Sequence, residues 1–383
     1  MRMTVCPRIR ATSGPGGGVG DTESGQSAPT LTLQKLTMTL HSRFIPLSRR
    51  RVRFLLGLLW LLDAGLQAQP QVFTSGFWRD DLAQSAMGQP ALVAHSIIWA
   101  TGIVAAHAAV WNSLFVAVQA LLGLALVTGR GERLAVVASL PWALGIWWVG
   151  EGFGALPTGF AMAATGAPGA VVLYPLIGFL AWPGDRGDAR DRRRRDDLIA
   201  PRAGMAAWVV LWAGQAALQI PWVFPVGRVM RANVSEYSQA HPAWLASIGR
   251  AVTGFADSHP VLLSAALAVL GLAVGCGVLA RRGRAAALVL GMVAAVAFAF
   301  CFQGLNGLVS GGATDPGPAP LLLILALALW PGTLPALEVA QLAVADQVHP
   351  RSGDEYPERV GGHRQVMVGH AGRPVGHHGT QFG

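Results

Sequence analysis

Two acidic residues next to or within apolar stretches of the sequence are the clearest candidates for chemistry. Asp63 lies within such a stretch and Glu151 directly follows another; an ionisable group in a membrane span is usually functional, because its burial is costly. The positions 152 residues later hold the neutral amides Gln215 and Gln303. This pattern suggests that the first half of the chain handles a proton or cation and that the second is a structural copy. The simpler interpretation is that Asp63 bonds a neighbouring helix and Glu151 lies at the outer interface.

Two histidines share the same spacing. His107 and His259 lie 152 residues apart, and each precedes an apolar segment. Imidazole can ligate haem or bond a quinone carbonyl, whereas an interfacial histidine can equally cap a helix or contact a lipid headgroup. The candidate polar membrane or outer-face site comprises Asp63, Gln67, His107, Glu151, Gln215, Gln219, His259 and Gln303.

The elements that position these residues are predicted to be membrane helices. The chain of 383 residues is 52% hydrophobic and 13% charged, whereas soluble domains carry about 25% charged residues. Long apolar runs without period-2 alternation favour spanning helices over barrel strands. The eight predicted spans cover about Phe54–Gln67, Val110–Thr128, Leu134–Gly150, Ala170–Trp182, Met205–Ile220, Val261–Ala280, Ala285–Phe302 and Pro320–Pro335.

Arginine clusters between the apolar runs predict the orientation of these helices. With both weaker segments, Leu92–Ala106 and Ala243–Phe255, interpreted as interfacial or re-entrant helices, every cluster lies on the same side. The positive-inside rule then places both termini in the cytoplasm. The same rule explains the net charge of +9, so we expect the lipid bilayer as partner and no nucleic acid.

An internal duplication is predicted from residues that match at the 152-residue offset. Apolar composition alone does not readily align Trp, Gln, His and Pro together. The matching pairs include Trp60 and Trp212, Gln67 and Gln219, Pro90 and Pro242, His107 and His259, and Gly123 and Gly275. The predicted fold is therefore all-α, a polytopic membrane helical bundle of two parallel tandem repeats. Each repeat has about four spanning helices and one interfacial helix, and a cleft between such halves is where a substrate site usually lies.

The predicted boundaries follow changes in composition. The two membrane repeats are residues 48–183 and 204–336, joined by a basic cytoplasmic linker at 184–203. Residues 1–47 and 337–383 are polar and Gly-rich and are predicted to be disordered tails. The second tail contains histidines, but without packing to fix their geometry we predict no physiological metal site.

The opening segment Phe54–Asp63, the four-span layout and the polar loop after the first span resemble the DoxX/DoxD-like bacterial membrane proteins. The resemblance covers about residues 52–183 and 205–335, and implies a quinone ligand or a membrane oxidoreductase partner. The composition, rich in Ala, Gly and Arg with a single Lys, is typical of a GC-rich bacterial genome. The expected location is the bacterial plasma membrane.

Three functions remain open from the sequence. The first is a redox-associated subunit that binds a quinone near His107, Glu151, His259 and Gln303. The second is a small-solute or ion transporter that uses Asp63 as its coupling acid. The third is a non-catalytic assembly protein. The sequence contains no HExxH, GxSxG or Walker motif, so it does not predict an enzyme.

Overall fold

A computed structural model of the chain describes residues 47–159, 161–183, 201–219 and 242–331. The predicted tails and most of the basic linker lie outside these ranges, as do residues 220–241. The described residues form helices and loops without β-strands. The α-helices are α1 (Arg49–Gln67), α2 (Ser75–Ala86), α3 (Ala91–Ala106), α4 (Ala108–Thr128), α5 (Glu132–Val149), α6 (Leu173–Leu180), α7 (Pro201–Leu218), α8 (Ala243–Ser258), α9 (Pro260–Gly277), α10 (Arg284–Cys301) and α11 (Pro318–Ala328).

Three of these helices, α4, α9 and α10, are long and apolar enough to cross a membrane. A fourth candidate is α5 together with the 3₁₀ turn Gly152–Thr158, which follows it at a bend of 53°. The protein is therefore all-helical, with helices suited to a membrane. The eight-span topology remains a prediction. Two of its predicted spans, Ala170–Trp182 and Pro320–Pro335, correspond to helices of only 8 residues (α6) and 11 residues (α11), so these helices alone do not reach across a hydrocarbon core about 30 Å thick.

The distribution of side chains also suits a lipid surrounding. Large apolar side chains face outward on the long helices, including Leu121 (67% exposed) and Val269 (66%). Polar side chains such as Asp63, Asn112 and Gln303 are buried inside. Polar residues of membrane helices face the bundle interior in this way, because lipid cannot hydrogen-bond them.

Close helix pairs form the frame of each half. Helix α1 packs against α4, and α7 packs against α9. A Cβ on Gly123 would lie 2.8 Å from the carbonyl oxygen of Gly57, and one on Gly275 would lie 2.9 Å from the backbone nitrogen of Ala213. Glycine at these positions lets the backbones approach, as is common between membrane helices.

Helix α1 begins earlier than the apolar pattern predicted. Ser48 caps it by accepting a hydrogen bond from the backbone N–H of Arg51, so the basic cluster belongs to the helix. The Arg53 side chain is buried, pairs with Glu132 at 2.8 Å and donates to the Ala181 carbonyl at 2.7 Å. This arginine therefore ties α1 to α5 and to the end of α6.

Helices also form in the segments between the predicted spans. The two weaker segments are the helices α3 and α8, as expected, but α2 was not predicted because its sequence is polar. Trp78 and Leu82 of α2 are buried in a small core with Val104 of α3, and the Trp78 Nε1 donates to the Val72 carbonyl at 2.8 Å. Tertiary packing thus stabilises a helix that has little amphipathic pattern of its own.

Unusual backbone angles recur at the 152-residue spacing. His107 has φ −134° and ψ 49°, and His259 has φ −135° and ψ 53°. Phe153 (φ 58°, ψ 31°) and Leu305 (φ 55°, ψ 29°) share a left-handed conformation that non-glycine residues rarely adopt. The same irregular connections therefore occur in both halves of the described chain.

The halves, residues 47–183 and 201–331, meet in one core. Trp60 and Tyr174 of the first half belong to the same buried cluster as Trp212 and Phe298 of the second. Helices α6 and α11 both pack on α1. Each of these two short helices follows a loop, at 161–172 (with the 3₁₀ turn Ala163–Thr165) or at 308–317.

Candidate functional site

Asp63 lies inside this core, near the end of α1. It is 2% exposed, and its Oδ1 atom has no hydrogen-bond partner. Trp60, one turn earlier, packs against the Tyr174 ring with centroids 4.3 Å apart, which brings the Tyr174 hydroxyl beside the carboxyl group of Asp63. That hydroxyl is also buried and lacks a partner within hydrogen-bond geometry. Asp63 is therefore buried, and one of its carboxyl oxygens lacks a hydrogen-bond partner. The sequence alone could not establish this.

Two further carboxyl groups act on Asp63 from the loops. Asp315, in the loop before α11, has the larger electrostatic effect, and Glu151, directly after α5, has a smaller one. We call Asp63, Glu151 and Asp315 the carboxylate cluster. No basic side chain of the described residues is among the groups that act on these three acids. The described residues contain no three His, Cys, Asp or Glu side chains placed to hold a metal ion.

Backbone N–H groups hold both loop acids in place. Glu151 Oε1 accepts a hydrogen bond from the Val171 N–H at 3.0 Å, while its Oε2 is buried without a partner. Asp315 Oδ1 accepts from the Gly317 N–H at 2.7 Å and from the Asn306 amide at 3.4 Å. Each acid closes the loop that precedes a short helix.

Burial raises the pKa of both loop acids, Glu151 and Asp315. It raises the pKa of Glu151 from 4.5 to about 8, with a further increase from the negative charge of Asp315, against the opposing effect of the Val171 hydrogen bond. Burial also raises the pKa of Asp315, although the hydrogen bonds from Gly317 and Asn306 oppose this. A group that titrates near neutral pH can take up and release protons under physiological conditions.

The matching positions of the second half carry amides that are hydrogen-bonded. Gln215 Nε2 donates to the Ala167 carbonyl at 2.8 Å, and Gln303 Nε2 donates to the Ala164 carbonyl at 3.1 Å. Both acceptors lie in the loop before α6. In the opposite direction, Gln69 Nε2 donates to the Ala313 carbonyl at 2.9 Å. Each half is therefore hydrogen-bonded to a loop of the other.

Gln67 and Gln219 stabilise helix pairs. Gln67 Nε2 donates to Asn112 Oδ1 at 2.7 Å, and Asn112 Nδ2 donates to the Gln67 carbonyl at 3.0 Å. In the second half the Ser264 hydroxyl donates to the Gln219 carbonyl. These bonds join α1 to α4 and α7 to α9. The Gln67 side chain therefore has a structural role, whereas the bond at Gln219 uses only its backbone carbonyl.

The histidines lie apart from these groups. His107 and His259 are exposed at the α3–α4 and α8–α9 junctions, and the His259 ring stacks on Phe255 and contacts the Ser258 hydroxyl. Glu151 and Gln303 instead bond loops where the halves meet. The four residues proposed for a quinone site therefore do not form one pocket.

Sequence reasoning missed Asp315 and Tyr174 as site residues. Asp315 occurs in the stretch Ala313–Pro316, which echoes Ala164–Pro168, but its counterpart in the first half is not an acid. Tyr174 is one of three tyrosines in the chain and lies in an apolar run. The one signal available in the sequence was that a tyrosine, rare in this chain, occurs within an apolar run.

A small cavity lies between residues 163–173 of the first half and the second half. Its walls include Ala163, Pro168, Trp212, Gln215, Phe298 and Pro318. A smaller cavity shares Trp212, Gln215 and Phe298. No family model, curated protein or solved structure significantly matches the chain.

Proposed function

We propose that the protein is a proton-coupled membrane transporter built from two tandem parallel units. In this proposal it resides in the bacterial plasma membrane with both termini in the cytoplasm, and shares ancestry with the DoxX/DoxD-like proteins. Asp63 is the coupling acid, with Glu151 and Asp315 relaying protons to it. The observation that carries the proposal is a carboxyl group buried to 2% exposure, with an unpartnered oxygen and two acidic neighbours.

The duplication is supported by geometry as well as by residue identities. Histidines 107 and 259 agree within a few degrees in both backbone angles. The left-handed turns that begin at Gly152 and Gly304 also agree. Such angles are sterically restricted, so their recurrence at one spacing is not a product of apolar composition. Parallel repeats of this kind occur in transporters whose halves move against each other.

Transport is supported by where the irregular backbone lies. The short helix α6 follows a loop that contributes Met162, Ala164 and Ala170 to the core, and Glu151 accepts a hydrogen bond from Val171 at the end of that loop. Asp315 lies in the loop before the second short helix, α11. Non-helical backbone at membrane depth is tolerated where protein buries it or where it lines a cavity. Transporters use such interrupted helices to place ion-binding groups between their halves.

The proposal is tested by proton flux into liposomes that contain the purified protein and a trapped pH-sensitive dye. A potassium diffusion potential drives uptake, with and without a panel of amino acids, sugars, short alcohols and amides. We expect internal acidification in the wild type. In Asp63→Asn the rate should fall to that of protein-free liposomes, because the amide cannot take up a proton.

Asp80→Asn is the matched control, since Asp80 is an exposed acid on α2. It should acidify like the wild type. Equal rates for wild type and Asp63→Asn, or no acidification by the wild type under any condition, would contradict the proposed function.

A further inference from the structure

Tyr174 lies beside the proposed coupling acid but has no role in the proton relay described above. It occupies the first turn of α6, and its side chain is 3% exposed. Its hydroxyl oxygen has no hydrogen-bond partner in the described part of the chain. Buried polar groups are normally hydrogen-bonded, so the Tyr174 hydroxyl is an exception that packing alone does not explain.

Asp63 has the acceptor that this hydroxyl lacks. One of its carboxyl oxygens is also buried without a partner, and a phenol hydroxyl can donate to such an oxygen. The rings of Trp60 and Tyr174 are in contact, with centroids 4.3 Å apart, and Asp63 follows Trp60 by three residues on the same buried face of α1. The hydroxyl and carboxyl groups interact, but their arrangement falls short of hydrogen-bond geometry. Whether the bond forms therefore depends on how α6 lies against α1.

The other two carboxyl groups that act on Asp63 cannot replace this donor. They belong to Asp315 and Glu151, and an ionised carboxylate only accepts hydrogen bonds. A hydroxyl group donates whether or not its acidic neighbour is ionised. Among the side chains that act on Asp63, Tyr174 is thus the one suited to hold its carboxylate by a hydrogen bond.

The start of α6 is tied to the second half of the chain. Gln215 and Gln303 each donate to a carbonyl group of the loop before α6. At the end of that loop, the Val171 N–H donates to Glu151 at 3.0 Å, shortly before Tyr174. Because energetic coupling is carried by hydrogen bonds and packed elements of this kind, a movement of the second half against the first acts on the position of the Tyr174 hydroxyl.

We propose that Tyr174 is the positioning residue of Asp63, whose hydroxyl donates to the Asp63 carboxylate in one arrangement of the halves and withdraws in the other. A hydrogen bond to a carboxylate favours its ionised form. Proton release from Asp63 is then linked to the contact between the halves. The role rests on the proposed function, in which Asp63 carries the proton.

The contact is tested by carbon NMR of the full-length protein in detergent micelles, with tyrosine isotope-labelled at the ring carbon that bears the hydroxyl. The chain has three tyrosines, so Tyr237→Phe and Tyr356→Phe together leave the Tyr174 resonance alone. We expect Asp63→Leu to shift this resonance, because the acceptor is lost, and Asp63→Asn, which keeps one acceptor oxygen, to shift it less. Asp80→Asn, at an exposed acid of α2, should leave it in place.

Proton flux into liposomes gives the second readout. Tyr174→Phe removes only the hydroxyl and should lower the rate of acidification about tenfold, the effect of losing one hydrogen bond to a charged group. Ser139→Ala is the matched control, since it removes a buried hydroxyl of α5 that donates to the Val136 carbonyl. It should acidify like the wild type.

Two results would overturn the role of Tyr174 and leave the proposed function intact. One is a Tyr174 resonance that Asp63→Leu does not move, which decides the matter even if Tyr174→Phe does not fold. The other is wild-type flux in Tyr174→Phe. Absence of flux in the wild type would instead contradict the proposed function, and the role of Tyr174 with it.

Discussion

The first half of the chain carries carboxyl groups at two positions where the second half carries amides. Gln215 and Gln303 each donate to a loop carbonyl of the first half. Asp63 instead lies under the influence of another acid, Asp315, from the loop of the second half. One side of the contact between the halves is thus neutral and hydrogen-bonded. The other is acidic, and no basic side chain in the described part of the chain is among the groups that act on its acids.

Comparing the two sides distinguishes a structural contact from a functional one better than inspecting either half by itself. On the amide side, the Nε2 donors of Gln215 and Gln303 meet carbonyl acceptors, although Gln215 Oε1 is buried without a partner. The acidic side is less favourable, because ionised groups are poorly stabilised when buried. The proposed function would account for this difference, since in it the acids carry protons.

Exchanging the residue types between the halves should give the largest effect. Gln215→Asp places an acid against the Ala167 carbonyl and removes that carbonyl's donor, which should destabilise the protein by about 3–5 kcal/mol. Asp63→Gln removes a buried acid and should leave stability unchanged or higher. Thermal unfolding of both variants in detergent measures the difference. If Asp63→Gln were the more destabilising change, Asp63 would be the structural member of the pair.

The pH dependence of stability should give a second test of the difference between the acidic side and the amide side. Because the pKa of Glu151 is raised from 4.5 to about 8, the folded protein binds one proton more than the unfolded chain between these pH values. Its contribution to stability is therefore complete below about pH 4.5 and is lost as the pH rises to about 8. Midpoints of thermal unfolding across this window should fall with pH in the wild type.

Glu151→Gln should flatten that decline, since glutamine does not titrate. Glu132→Gln is a less suitable control, because Glu132 pairs with Arg53. Asp80→Asn, on the exposed face of α2, should keep the wild-type slope. Because burial also raises the pKa of Asp315, part of the slope should remain in Glu151→Gln; a slope equal to that of the wild type would assign the whole effect to other groups.

The smallest effect is expected from the histidines. His107→Ala and His259→Ala should each change stability by less than about 0.5 kcal/mol, because both side chains are exposed and exposed substitutions rarely cost more. Mass spectrometry of small molecules extracted from the purified variants should match the wild type. A stoichiometric quinone in the wild type that is lost on changing His107 would favour the redox-subunit hypothesis over the proposed transport function.

Sequence reasoning placed most helices, because apolar runs and arginine clusters have a direct physical meaning in lipid. It identified α4, α9 and α10 nearly to their ends, and recognised the weaker segments that became α3 and α8. It failed for α2, whose stability comes from burying Trp78 and Leu82 against α3. It also overestimated α6, because apolar composition continues through residues that fold as a loop.

Part of the candidate site was accessible in the same way. Asp63 and Glu151 were found because a charge in an apolar run is visible without a structure. Asp315 was not, since it lies in a polar loop where an acid is unremarkable. The pattern also grouped His107 and His259 with Glu151, although the fold leaves the histidines exposed.

The sequence by itself determined the helical class, the suitability for a membrane and the spacing of 152 residues between equivalent positions. These properties depend on the composition of the chain and on the order of its residues. They can be found without knowing which residues are in contact. Only the tertiary structure decided that Asp315 and Tyr174 join Asp63, and that Gln215 and Gln303 bond the opposite loop. Those contacts join residues more than 100 positions apart, or across the two halves, and only packing brings such residues together.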